Sequence, residues 1–179
     1  MISFEQFKEL CDARRSIRYF DDRPVERKQL EMLLEVGAKA PNVQNTQPWR
    51  FHVILNKEMK NTIMKASCYG NFVAGASAFI VVTSDTSARK ETSETLWNPR
   101  ELEYSCVSAM GQMILAATAM GLGSCWISLH HGDMHDLLKL PKNELVVGGL
   151  MIGKLKHGEE TPSGPHKRKP MNEIVQWYE

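Results

Sequence analysis

ELEYSCVSAMGQMILAATAMGLGSCWISL, running from Glu101 to Leu129, is the stretch around which the rest of the sequence arranges itself. From Tyr104 to Met120 nearly every residue is apolar or small, and apolar positions fall on every side of the helical wheel, so a helix here must be covered all round. Ser105, Ser108, Gln112 and Thr118 interrupt a run already just short of a bilayer span, which makes it a core helix and not a membrane helix. Ser105, Ala109, Gln112, Ala116 and Ala119 recur at alternating steps of four and three, a face where another helix, including one from a second copy of the chain, can approach closely. Gly121 and Gly123 stop the helix as residues free to take positive φ. Ser124-Cys125-Trp126-Ile127 then reads as a buried strand, with Ser128 and Leu129 at its exit.

Outward from this axle, 179 residues suffice for one domain with a sizeable core, and a single domain over residues 1–179 is the expectation. A net charge of +1 with 24% charged residues supplies no field favouring nucleic acid or an anionic membrane, so neither is expected as a partner. Cys11, Cys68, Cys106 and Cys125 show no CxxC spacing and no histidine at metal-ligand spacing, which predicts free thiols in a reducing compartment and no metal. Glu5 and Glu9, set among the hydrophobic residues at the start, argue against a signal peptide, and a cytoplasmic location follows as the default.

In chain order, Ser3 followed by Gln6 is a capping-box pattern, and Phe4, Phe7, Leu10 and Cys11 share one face of a first helix. Asp21-Asp22-Arg23-Pro24 is a turn, and Leu30, Leu33, Leu34 and Ala38 mark a second helix that Pro41 bounds. Asn42–Gln47 is a polar loop, extended at its end because Gln47 precedes Pro48. Trp49 to Asn56 alternates as a strand, Lys57 to Ser67 is a short helix, and the apolar run Ala78–Val82 is a central strand buried on both faces. The Ser/Thr-rich patch Thr83–Thr95 reads as one long surface loop. Asp133 caps a short helix through Leu138, and Leu145–Gly153 is the last strand, its Gly148-Gly149 pair signalling a bulge or a close backbone approach. Ile174, Val175, Trp177 and Tyr178 form a tail with too many large apolar groups to hang free.

Three polar motifs carry chemistry. Arg14, Arg15 and Arg18 flank Ser16, and guanidinium forks beside a hydroxyl suit a phosphate monoester as well as they suit a solvated basic face. Asn42-Val43-Gln44-Asn45-Thr46-Gln47 offers amide donors and acceptors that fit the edge of a heteroaromatic ring, or simply an Asx-stabilised turn. His166-Lys167-Arg168-Lys169-Pro170 is a basic run near the C-terminus. No nucleophile, triad or metal set is present; His130 and His131 read as surface or helix-cap histidines, and Cys125 as a small buried hydrophobe. Trp97 and Tyr104 can either stack on a planar substrate or pack in the core or a lid.

Taken together with Gly121–Ile127, these motifs make the chain resemble the FMN-dependent nitroreductase family in its short form. The resemblance is strongest at Arg14–Phe20, Ala40–Trp49 and Gly121–Ile127 and covers nearly the whole chain. It implies an α+β fold with a mainly antiparallel central sheet flanked by helices on both faces, and an intertwined homodimer with two flavin sites at the interface. On that resemblance Arg14 and Arg168 hold the FMN phosphate with help from Ser16 and the backbone of Arg15, while Arg18 lies toward the ribityl chain and the pyrimidine edge. Pro41, Asn42, Val43, Asn45 and Gln47 come from the partner subunit's amide loop, and Ile127, Ser128 and Leu129 bring backbone N–H groups near flavin N5. Asn71, His166 and Lys167 are possible further contacts.

The sequence departs from the family pattern at Ser128, where many members carry Gly or Glu, and at His166-Lys167-Arg168, which stands for the usual Lys-Pro-Arg. The implied reaction takes a hydride from NADH or NADPH and passes electrons to a flat oxidised acceptor, a nitroaromatic or quinone, in two ping-pong half-reactions at N5. The alternatives are an FMN storage or delivery protein, or a flavin enzyme of another reaction such as reductive dehalogenation or flavin cleavage. Residues that choose the acceptor are expected in Ser84–Arg100.

Overall fold

The computed structural model describes residues 2–65, 67, 72–91, 98, 100–156 and 166–179. Its centre is a four-stranded antiparallel sheet in the order β1-β2-β4-β3, formed by β1 (Trp49–Ile54), β2 (Ala78–Asp85), β3 (Leu122–Ile127) and β4 (Glu144–Lys154). Alternation decides which side chains go to which face. Ala78, Ile80 and Val82 of β2 join Leu150 and Ile152 of β4 under two helices, α2 (Arg27–Gly37) and α4 (Glu101–Ala119). Phe79, Val81 and Met151 point to the opposite face, where α3 (Lys57–Lys65) and α5 (His131–Leu138) supply Ile63 and Met134. The sheet is therefore helix-covered on both faces, as the resemblance implies. Among the described residues no helix is long and apolar enough to cross a membrane.

Helix α1 (Phe4–Ala13) starts on the capping box foreseen at Ser3 and Gln6, yet none of its residues is buried, and Phe4 and Phe7 are exposed. Helix α4 is half covered rather than sheathed. Leu102, Cys106, Met110, Met113 and Ala117 face the core, whereas Tyr104, Val107 and Gly111 are exposed. The small residues Ser105 and Ala109 lie on its buried side, where their size lets the amide loop and the sheet come close.

Four other expectations are corrected. Thr83, Ser84 and Asp85 continue β2 as buried residues instead of opening a surface loop, because partners distant in sequence satisfy the side chains of Thr83 and Asp85: Asn143 Nδ2 donates to Asp85 Oδ1 at 2.7 Å and the Thr83 hydroxyl to Glu144 Oε2 at 2.5 Å. Helix α5 begins before Asp133, with His130 at its N-cap. Gly121 ends α4 with φ +68°, but Gly123 lies inside β3. Gln47 has φ 46° and is not extended. The Gly148-Gly149 signal is realised twice over, since the β2–β4 register shifts beside Gly148 and a Cβ at Gly149 would run into the Phe79 ring. The last described segment carries α6 (Met171–Ile174), after which Trp177 and Tyr178 stand exposed.

Candidate functional site

The arginine motif leaves α1 and runs beside β3. Ser16 bridges Ser124 in parallel, the Ile17 N–H donates to the Ser124 carbonyl at 2.8 Å, and the Asp21 N–H to the Lys154 carbonyl at 2.9 Å. Gly123 permits this close approach, because a Cβ there would fall 2.9 Å from Ile17 Cγ2. That approach, and not helix termination, explains the glycine. The Arg18 guanidinium lies 5.9 Å from the centroid of the Phe72 ring, whose edge also meets Tyr19. Burial pushes the Cys125 thiol up despite the nearby charges of Arg18 and Arg14 and the hydroxyl of Ser16, so Cys125 behaves as the inert buried group expected of it.

The C-terminal basic run comes to the same place. Arg15 Nη1 meets His166 Nε2 and also donates to the Asp12 and Arg14 carbonyls. Arg168 donates to the Lys167 carbonyl at 2.9 Å, and its Nη2 lies 3.3 Å from His166 Nδ1. The two ends of the chain thus meet outside β3. Among the described residues, no carboxylate stands within ion-pair distance of Arg14, Arg18 or Arg168. At the exit of β3, Ile127 is buried, Ser128 is exposed, and Leu129 forms an antiparallel bridge with Ser67.

The amide loop is strained and internally braced. Gln44, Asn45 and Gln47 have φ of 47°, 55° and 46°, conformations that non-glycine residues rarely adopt. Asn42 Oδ1 accepts the Gln47 N–H at 2.9 Å, its Nδ2 donates to the Ala40 carbonyl at 3.2 Å, and the Thr46 hydroxyl donates to the Val43 carbonyl at 2.8 Å. These bonds override the extended preference that Pro48 imposes on Gln47. Ser105 of α4 pins the loop by accepting the Val43 N–H at 3.1 Å while donating to the Glu101 carbonyl at 2.8 Å. Between loop and helix lies an open cleft of about 370 Å³ lined by Pro41, Asn42, Val43, Glu101, Tyr104 and Ser105.

Arg14, Arg15, Ser16, Arg18, His166, Lys167 and Arg168 are thus gathered outside β3. Pro41, Asn42, Val43, Asn45 and Gln47 stand at the head of β1, the opposite edge of the sheet. Three inter-strand steps separate β1 from β3 and the arginine segment lies one step beyond β3, on the order of 19 Å in all at about 4.8 Å per step. Asn71, Trp97 and Cys68 lie outside the described residues.

Residues 12–154 match the model of the nitroreductase family. The chain belongs to the nitroreductase family. Among its relatives is a candidate NADH dehydrogenase/NAD(P)H nitroreductase of Archaeoglobus fulgidus, 30% identical over 83% of this chain and 85% of that one. Another is the oxygen-insensitive NADPH nitroreductase of Helicobacter acinonychis, 26% identical over 97% of each. A candidate nitroreductase of Desulfovibrio desulfuricans, solved in complex with FMN, superposes with a TM-score of 0.80 at 26% identity over 96% of both chains. For this nitroreductase-family chain, reasoning from sequence gave Ser105 only a packing face and Gly123 only helix termination, and gave Glu101, which frames the cleft with Ser105, no role. A hydroxyl in the first turns of an otherwise apolar helix was the available signal for Ser105.

Proposed function

We propose that the protein is an NAD(P)H-dependent FMN oxidoreductase, working as a homodimer, that reduces a flat acceptor such as a nitroaromatic or a quinone. The observation that carries this reading is the gathering of Arg14, Arg18 and Arg168 without a carboxylate in reach among the described residues. Guanidinium groups held together repel one another, and a phosphate monoester answers them with about two negative charges and acceptor oxygens for their planar forks. Arg14 and Arg168 would take the phosphate, with the Ser16 hydroxyl and the Arg15 N–H as neutral donors. The contact of Arg15 with His166 holds the tail that carries Arg168. Arg18 would lie toward the pyrimidine edge of the ring, where its charge favours added electrons.

A second copy supplies what one chain keeps apart. The edges bearing the arginines and the amide loop are too far apart for one chain's motifs to close on one ring. The exposed Phe4, Phe7, Val107, Trp177 and Tyr178 give a second copy apolar surface to cover. The loop of that copy, through Pro41, Asn42, Val43, Asn45 and Gln47, would then line the ring, and Ile127–Leu129 would approach N5 with backbone N–H groups. FMN held by these residues would supply hydride-transfer chemistry between NAD(P)H and the acceptor, with the overall balance for a quinone NAD(P)H + H⁺ + Q giving NAD(P)⁺ + QH₂. The chain contributes orientation, charge placement and exclusion of water.

Purified protein is expected to show a flavin absorption spectrum, to bleach anaerobically with NADH or NADPH, to recover colour on addition of a quinone, and to scatter light with the mass of two chains. A preparation that stays colourless after FMN is added and the excess removed would overturn the reading.

A further inference from the structure

The cleft between the amide loop and the first turn of α4 is, at about 370 Å³, the size of a small-molecule site. Two of its polar side chains are already committed. The Asn42 amide uses its oxygen for Gln47 and its nitrogen for Ala40, and the Ser105 hydroxyl both accepts from Val43 and donates to Glu101. Neither the Glu101 carboxylate nor the Tyr104 hydroxyl makes a hydrogen bond or ion pair among the described residues, and Tyr104 is 53% exposed. Pro41 and Val43 add apolar surface. Among the described residues no basic side chain lines the cleft; Arg100 and Glu103 flank Glu101 on the helix without lining it.

An aromatic face, two apolar contacts and one carboxylate with no side-chain partner among the described residues describe a preference. We propose that this cleft is the acceptor subsite, and that Glu101 and Tyr104 make it select planar aromatic acceptors bearing a cationic or N–H-donating substituent over anionic ones. The inference rests on the proposed function, since it takes the loop beside the cleft to be the one that lines the ring. A flat acceptor stacks on Tyr104, which also favours a cation through its ring face. Glu101 answers the positive substituent and repels a carboxylate.

The test uses two nitroaromatics of similar size and opposite charge, 4-nitrobenzyltrimethylammonium and 4-nitrobenzoate. Calorimetry measures the binding of each to the protein as purified, and kcat/KM is measured on flavin-loaded enzyme at saturating NADPH. The unsubstituted protein should favour the cation by about fivefold, the scale of a partly exposed ion pair. Glu101→Gln should abolish that preference, Glu101→Asp should keep its sign, and Tyr104→Leu should weaken both probes by about fivefold. Circular dichroism should show all three variants folded, since no described side-chain bond is lost at either position. Equal affinities, a preference for the anion, binding of neither probe, or an unchanged ratio in Glu101→Gln would overturn the proposal. Charge discrimination in a protein that takes no flavin would sink the proposed function and the cleft's acceptor role with it, leaving only its charge preference. Flavin reduction without discrimination would sink the subsite alone.

Discussion

Two polar clusters of this chain obey opposite rules. Where β1, β2 and β4 begin or end together, charges are answered inside the chain. Arg50 Nη2 lies 2.7 Å from Asp85 Oδ2, Asp85 Oδ1 also accepts from the Ser87 N–H at 2.9 Å and the Ser87 hydroxyl at 2.6 Å, and Glu144 Oε2 stands 3.0 Å from His52 Nε2. Outside β3, Arg14, Arg18 and Arg168 find carbonyls, a ring and a histidine but no described carboxylate. A buried polar group without a partner costs free energy, so the first cluster is what the sheet requires in order to fold. Cations held near one another without anions cost free energy too, and on the proposed function a phosphate monoester would offset that cost at the surface. The difference separates structural polarity from functional polarity, and it can be broken from either side.

The largest effect is expected at the open cluster. Arg14→Ala and Arg168→Ala should each weaken FMN binding by about 100-fold, the loss of a charge-assisted, bidentate contact. Flavin fluorescence titration measures this. The melting temperature of the flavin-free variants should stay within about 2 °C of the parent or rise slightly, because repulsion is relieved. A variant that melts much earlier while binding FMN as before would place these arginines with the structural cluster and erase the contrast.

The closed cluster should respond the other way round. Asn143→Ala and Asp85→Asn should cost about 2 kcal/mol in urea denaturation, the scale of a buried charge losing a hydrogen-bond donor or a donor losing its charged acceptor. FMN affinity of the folded protein should be unmoved. Burial pushes the Asp85 carboxyl up, but the Ser87 and Asn143 donors and the Arg50 charge outweigh it and hold the group below the usual carboxylate range. The folded state therefore binds fewer protons at Asp85 than the unfolded chain does. Its contribution is complete above about pH 4 to 5, where the unfolded carboxyl is ionised, and it is lost as pH falls through the depressed folded-state value. Asp85→Asn should flatten that acid limb of the stability curve, and an unchanged limb would remove Asp85 as its source.

The same contrast explains what the sequence disclosed. The axle helix, the strand Ala78–Val82 and the paired glycines were legible because periodicity and close approach are local properties. The arginine motif was legible as a type of chemistry. Thr83–Asp85 was misread because three polar residues in a row look like a loop until their partners at Asn143 and Glu144, some 60 positions on, are known. The contact between Arg15 and His166 spans 151 positions, and nothing near either residue announces it. Gln47 turned the wrong way because the rule for residues before proline is weaker than the hydrogen bonds Asn42 and Asn45 impose. The half-open state of α4 was not legible, because a wheel apolar on every side states that cover is required without stating what provides it.

The smallest effect sharpens the comparison most, because it reaches the open cluster through packing alone. Gly123→Ala places a Cβ 2.9 Å from Ile17 Cγ2 and 3.1 Å from Leu155 Cδ2, so the arginine segment must move outward by a few tenths of an ångström or more. Stability should fall by about 1 kcal/mol, at the low end for overpacking, because the segment lies at an edge and can yield. FMN affinity should fall by about fivefold, because donors aimed at a phosphate lose strength with small displacements. Ile17→Ala removes the nearest atom that the new Cβ meets, Cγ2, but leaves Ile17 Cβ at 3.0 Å, so the double variant should recover part of the lost affinity. That non-additive result would mark displacement of the segment, and not loss of the glycine, as the cause. If the double variant binds FMN as poorly as the two single losses combined predict, the segment is not positioned by its contact with β3, and the placement of Arg14 and Arg18 must be set by the tail or by the second copy instead.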